Sequence, residues 1–190
     1  AADLPFDAPD LAPDDLCALP YTSGSTGRGK GCVHTHRTAL QGVDCIAAWF
    51  GYGGDEVHLG ATPMFHIVGM QGIMNVAIST AATFVIMSRW DRKAAASLIK
   101  QNNVTSWSTV PTAVIDLLNT EGLVASDLRS MRLIFGGGSA MPEAVAARLK
   151  NLTGLDFVEV YGMTETMGLV TNNPVHAPKA GCVGIPAMQT

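Results

Sequence analysis

RLIFGGGSAMPEAVAARLKNLTGLDFVEVYG runs from Arg132 to Gly162. Arg132 to Phe135 predicts a short strand, and the glycines and serine after it a loop. Pro142 to Leu152 predicts a helix with proline in its first turn. Asp156 to Tyr161 predicts a second strand. The same alternation runs back toward the N-terminus. Val104 to Thr109 reads as a strand and Pro111 to Asn119 as a helix. Thr83 to Met87 and Asp91 to Gln101 form another such pair, as do Glu56 to Ala61 and Met64 to Ser79. Residues 16–22 read as a strand entering a Ser/Thr/Gly loop, Cys32 to Thr35 as a strand, and Thr38 to Phe50 as a helix ending near Gly51. Short strands separated by helices have few ways to pair except in parallel. The predicted class is α/β, a mostly parallel sheet flanked by helices.

Composition narrows the reading. The 190 residues are 47% hydrophobic and only 15% charged, with a net charge of −4. Such a chain buries a core and has no broad cationic footprint for nucleic acid. The low charge suggests faces covered by further chain. Ala1 stands where an initiator Met would, so a central piece of a longer protein is expected, with the missing N- and C-terminal parts as its partners. Residues 1–14, with three prolines and four aspartates, read as an extended lead-in. Residues 15–175 read as the α/β core and 176–190 as the start of a further segment. The acidic, Pro-rich N-terminus is unlike a signal peptide. Cys17, Cys32, Cys45 and Cys182 lack metal or disulfide spacing, so reduced thiols and a cytoplasmic location are expected. His34 and His36 would share one face of a strand. Leu59 to Ser88 lacks Asp, Glu, Lys and Arg. Its polar residues argue for a buried helix and a core strand, Thr83 to Met87, with no transmembrane segment.

Three loops follow predicted strands and are rich in small polar residues: Thr22 to Lys30, Gly136 to Ala140, and Gly162 to Thr166. Ligands of such sheets bind beyond the carboxyl ends of the strands. The first loop lies within YTSGSTGRGKG, Tyr21 to Gly31. Its glycines free backbone N–H groups, and its hydroxyls, Arg28 and Lys30 suit a polyphosphate. Gly24, Gly29 and Lys30 fit G-x-x-x-x-G-K, but Gly31 replaces the hydroxyl residue of a Walker loop, and the following segment reads as a strand. The Walker assignment therefore fails.

Thr22 to Gly31 resembles the phosphate loop of the adenylate-forming superfamily, [ST]-S-G-[ST]-T-G-x-P-K-G, with Gly29 in place of proline. Four further motifs stand in that superfamily's order. PMFHIVGM (Pro63–Met70) resembles the segment bordering the carboxylate pocket, and FGGGSAMP (Phe135–Pro142) the loop lining adenine and the acyl group. VEVYGMTET (Val158–Thr166) is similar to the superfamily's most diagnostic signature, and GCVGIP (Gly181–Pro186) to the run after it. The resemblance covers nearly the whole chain. It is closest to acyl-CoA synthetases and fatty-acid–CoA ligases, specifically the central part of their large N-terminal domain.

The resemblance implies a reaction and roles. A small carboxylic acid, by this reading a fatty acid, attacks the α-phosphorus of ATP, and coenzyme A then takes the acyl group. Thr22, Ser23, Gly24, Ser25, Thr26, Gly27 and Lys30 would hold the β- and γ-phosphates. Gly137, Gly138, Ser139 and Ala140 would line adenine, and Tyr161 would stack on it beside Gly162 and Met163. Thr164 would hold the α-phosphate, Glu165 would ligate Mg²⁺, and His66 would stand at the substrate carboxylate. Trp107 reads as a packing residue. The superfamily's ribose-binding Asp and catalytic Lys fall outside residues 1–190, so the chain alone is expected to catalyse poorly or not at all. The alternative is a non-catalytic nucleotide-binding or interaction module on the same fold.

Overall fold

The computed structural model describes residues 9–22 and 27–188. Nine strands and six α-helices alternate along them. A two-stranded antiparallel sheet comes first, β1 (Leu16–Ala18) on β2 (His34–Thr35). Between them the chain turns back as a hairpin: Thr22 N–H donates to Lys30 O at 2.9 Å, and Cys32 N–H to Pro20 O at 2.8 Å. The central Ser23, Gly24, Ser25 and Thr26 lie outside the described residues. α1 (His36–Phe50) begins five residues after Gly31, capped by the Thr35 side chain, and ends at Gly51 in the left-handed conformation, φ 62°. His34 is thus a strand residue and His36 the first residue of a helix, and the face expected for the pair does not exist.

The main sheet has seven strands in the order β4-β3-β5-β6-β7-β8-β9. β3 (Val57–Gly60), β4 (Thr83–Ile86), β5 (Ser106–Thr109), β6 (Leu133–Gly136) and β7 (Phe157–Met163) pair in parallel. β8 (Gly168–Asn172) and β9 (Ile185–Pro186) add antiparallel strands beyond β7. The expected class holds, a mostly parallel sheet flanked by helices. The stretch 176–190, expected to open another segment, contributes β9 to this sheet.

Both faces of the central strands are covered, which explains why β5 and β6 are buried at every residue. Neighbouring residues of β6 point to opposite cores. Ile134 packs with Leu59, Trp107 and Phe157 under α4 (Arg92–Asn102), α5 (Pro111–Leu118) and α6 (Glu143–Thr153). Leu133 and Phe135 pack with Val43, Ile46 and Phe50 of α1. Trp107 is fully buried and stacks on Trp90 at 5.4 Å, as a packing residue should. Helix starts follow local chemistry: Asp91 caps α4 by accepting from Ala94 N–H at 2.7 Å, and Pro111 opens α5.

Two elements depart from the sequence reading. Met64 to Ser79 is not one helix. α2 (Ile67–Gly69) runs into a π-helical turn (Met70–Asn75) and then α3 (Val76–Thr80). Gln71, 1% exposed, donates from Nε2 to Ala39 O at 2.8 Å and to Met167 O at 3.4 Å. A buried amide held by two distant carbonyls accompanies the wider turn, a pattern that period counting does not detect. β4 was expected in the core and is instead a sheet edge, with Ile86 62% exposed.

Opposite the loops, at the amino ends of the parallel strands, lies a buried polar cluster. Glu56 accepts from Arg132 and from the Thr105 hydroxyl. Arg132 also covers the Tyr52 ring, 5.3 Å from its centroid. Tyr52 shares a hydrogen bond with Ser106 and meets His58 edge-on at 4.6 Å. Burial pushes the Tyr52 hydroxyl far above its ordinary value and His58 below its own 6.5. Replacing Arg132 with Met leaves the Glu56 carboxylate buried without its cation. The expected loss is about 3 kcal/mol, the low end for a buried pair because the Arg132 side chain is 37% exposed. Chemical denaturation measures it, and a loss near zero refutes the reading.

The pH response follows from His58. Its depressed value means that the unfolded chain takes up the proton first as pH falls. Its stabilising contribution is complete above about pH 6.5 and is lost on acidification below it. His58→Phe keeps a ring against Tyr52 and should flatten the fall in melting temperature between about pH 7 and pH 5. Parallel pH profiles for the two proteins would refute this.

Candidate active site

The carboxyl ends of β5, β6 and β7 open into one cavity of about 700 Å³. Five segments carry most of its polar wall. Thr22, Gly27, Arg28 and Lys30 enter from the hairpin; Gly136 ends β6 and Gly137 and Gly138 follow it; Gly162 and Met163 end β7 and Thr164 and Glu165 form the turn after it. His66, Ile67 and Val68 begin α2, and Ser108, Thr109 and Val110 end β5. Lys30 and Glu165, from opposite ends of the sequence, therefore border one space.

Most of the sequence-predicted residues meet there: Thr22, Gly27, Lys30, His66, Gly137, Gly138, Gly162, Met163, Thr164 and Glu165. Ser139, Ala140 and Tyr161 are exposed and do not line it. Ser23, Gly24, Ser25 and Thr26 fall outside the described residues.

Charge in the cavity is arranged unevenly. Among the described residues, Arg28, Lys30 and Glu165 make no ion pair. Two cations on one wall fit an anion with several oxygens. The Glu165 carboxylate is a hard oxygen ligand, and no group of three or more His, Cys, Asp or Glu surrounds it among the described residues. The donor set therefore suits a Mg²⁺ that takes its other ligands from phosphate oxygens and water. At His66, Nδ1 accepts from Val68 N–H at 3.2 Å. In neutral His66 the hydrogen is then on Nε2, which can donate to a carboxylate. A second, more apolar cavity of about 700 Å³ shares His66, Val68, Thr109 and Val110 with the first and adds Phe65, Trp90 and Ile115.

The glycines at and after the end of β6 also have a packing duty, besides the expected approach of a planar base. A Cβ on Gly136 would stand 1.6 Å from Thr109 O, and one on Gly137 2.3 Å from Val160 O. Their neighbours are the backbones of β5 and β7. Gly138 alone has a positive φ, 85°.

Three residues with structural duties here carry no role in the sequence reading. Glu159, 7% exposed, accepts at Oε1 from Met141 N–H and at Oε2 from Gly181 N–H, both at 2.9 Å. It joins the end of the glycine loop to the 174–184 segment. A charge inside the apolar run VEVY is its sequence signal. Gln71 lines the cavity while held by Ala39 and Met167. His34 is buried and bonds through Nε2 to Thr164 O at 2.8 Å. Neither of these contacts has a local sequence signal.

A model of the AMP-binding enzyme family matches residues 2–190. The chain belongs to the AMP-binding enzyme family. It is 34% identical over 173 residues to 4-coumarate–CoA ligase 3 of Oryza sativa subsp. japonica, covering 87% of this chain and 30% of that protein. It is 31% identical over 183 residues to a long-chain-fatty-acid–CoA ligase of Bacillus subtilis (strain 168), covering 94% and 32%. The apo structure of MatB from Rhodopseudomonas palustris superposes with a TM-score of 0.90 at 28% identity, over 97% of this chain and 36% of that one. The chain thus spans about a third of the length of the curated relatives it matches. No helix among the described residues of this AMP-binding chain is long and apolar enough to cross a membrane.

The glycine loop gives a direct test. Gly137→Ala drives a Cβ into Val160 O and should destabilise the fold by about 2 kcal/mol. Gly138→Ala meets only Val110, 3.8 Å away, and should cost about 1 kcal/mol through its backbone angle. Denaturant titration of both variants checks the order; a reversed order refutes the packing account.

Proposed function

We propose that the protein carrying this chain activates a carboxylic acid with ATP and passes the acyl group to coenzyme A. The observation behind this reading is the single cavity shared by the cationic hairpin, the Thr164–Glu165 turn and His66. The carboxylate attacks the α-phosphorus, pyrophosphate leaves, and the acyl-adenylate then loses AMP to the incoming thiol. The chain's share is positioning and charge compensation. Arg28 and Lys30 neutralise the β- and γ-phosphates, with Ser23 to Thr26 supplying further donors. Thr164 donates to the α-phosphate, and Tyr161 and the Gly137–Ala140 loop border adenine. His66 orients the acid by donating to its carboxylate. Glu165 would hold Mg²⁺, which would supply charge neutralisation and Lewis-acid polarisation at the phosphates.

The acid we propose has an apolar body, with a fatty acid as the first reading. Ile46, Val68, Phe135, Val160 and Leu169 line the cavity and suit hydrocarbon. Relatives named for 4-coumarate and for long-chain fatty acids support an acid–CoA ligase and leave aryl acids as the competing substrates. Because the relatives are about three times as long, the reaction is proposed for the full-length protein, with chain beyond these 190 residues completing the site. Use of ATP and coenzyme A agrees with a cytoplasmic location.

ATP–pyrophosphate exchange tests the reading. The full-length protein should show exchange that depends on an added acid, across a panel of fatty, benzoic and 4-coumaric acids. Glu165→Gln should lower that exchange about 100-fold, the scale of losing one charge-stabilising contact. ATP binding with no acid-dependent exchange would instead identify a non-catalytic nucleotide-binding module.

A further inference from the structure

We propose that His34 is a positioning residue for this site, setting the Thr164–Glu165 turn against the hairpin that carries Lys30. The inference rests on the ligase reading for its kinetic meaning and on geometry for its existence.

His34 is 4% exposed, and its Nε2 stands 2.8 Å from Thr164 O. A carbonyl oxygen only accepts, so Nε2 carries the hydrogen and donates. The Thr164 carbonyl also closes its own turn, accepting from Met167 N–H at a longer 3.3 Å. The rest of the turn is bonded within itself: the Thr166 hydroxyl donates to Met163 O and Gly168 O, both at 3.0 Å. The bond from His34 therefore relates the turn to the opposite wall.

That wall needs such a tie. The hairpin grows from β1 and β2, which form a sheet of their own. The ladder that fixes β6 and β7 does not fix it. His34 follows the hairpin stem, three residues beyond Gly31. Its bond to Thr164 joins the small sheet to the end of β7. An apolar side chain at position 34 would fill the same buried space without fixing that distance. The part of the site most sensitive to it is the one spanning both walls, a polyphosphate reaching from Lys30 to Thr164 and Glu165.

The test uses acid-dependent pyrophosphate exchange by the full-length protein, with MgATP and acid varied separately. His34→Leu should raise the KM for MgATP about tenfold, the size of one lost hydrogen bond, and leave the KM for the acid within about twofold. His34→Gln places an amide nitrogen where Nε2 stands and should restore most of the loss. His34→Asn reaches only the Nδ1 position and should not. Asp127→Ala removes an acceptor for Val124 N–H and the partner of Lys100, and it should lower stability without moving either KM. An unmoved KM for MgATP in His34→Leu, or equal behaviour of the Gln and Asn variants, overturns the proposal. Absence of exchange by the unaltered protein with every acid overturns the ligase reading instead. In that case ¹⁵N shifts of His34 in this chain decide the geometry: a hydrogen on Nε2 is expected, and a bare Nε2 overturns the contact.

Discussion

Parallel pairing with both faces covered is the constraint from which the site follows. β3, β5, β6 and β7 run the same way, so their carboxyl ends finish along one edge. Helices occupy the two faces and leave that edge for loops. The loops cannot continue the ladder, so their backbone groups turn to other partners. The Glu159 carboxylate serves one such need by accepting from Met141 and Gly181. The glycines after β6 serve another by letting three backbones crowd at the sheet's end. The cavity is what remains between these loops once their own requirements are met.

The two ends of the sheet use polar groups in opposite ways. At the amino ends, Glu56, Thr105, Arg132, Tyr52 and Ser106 satisfy one another within a closed cluster. Removing one member leaves the others buried and uncompensated, so the cluster contributes to stability. At the carboxyl ends, Arg28, Lys30 and Glu165 face a cavity without ion pairs among the described residues. Cations left without an ion partner in a cavity favour an anion that arrives later. That contrast distinguishes charge placed for structure from charge placed for a ligand.

Much of this was legible in the sequence because the central elements obey local rules. Short strand-like stretches, Asp91 before a helix, Pro111 inside one and Gly51 after one all act within a few residues of chain. The site was legible for the same reason: its loops are concentrated in small, polar and glycine residues where strands end. What escaped depends on distant partners. β8 and β9 are short antiparallel additions, β8 paired with β7 and β9 with β8, and that pairing leaves no periodic trace. β4 carries the same apolar composition as a central strand, and its place at the edge is set by which neighbours exist. The π-helical turn accompanies Gln71 bonding to carbonyls at residues 39 and 167. The packing duty of Gly136 and Gly137 against β5 and β7 was not legible, because a glycine that spares a neighbouring strand and one that spares a base look identical in sequence.

The failure of the Walker pattern shows why geometry around a motif matters more than its letters. A Walker loop leads directly into a helix, whose N-terminal amides reinforce phosphate binding. Here Gly31 sits in a hairpin stem opposite Tyr21, and α1 begins only after β2. The hairpin is therefore denied that amide cluster and must be compensated otherwise, by its own cations and by the turn at the far end of the chain. Two walls that act on one ligand need a fixed separation. Neither strand pairing nor helix capping supplies it across this gap. Among the described residues the His34 imidazole bonds directly across it to Thr164 O, and the Gln71 amide, bonded to Ala39 and Met167, holds the neighbouring backbone; the conformation of the Thr164–Glu165 turn becomes a property of the hairpin as much as of β7.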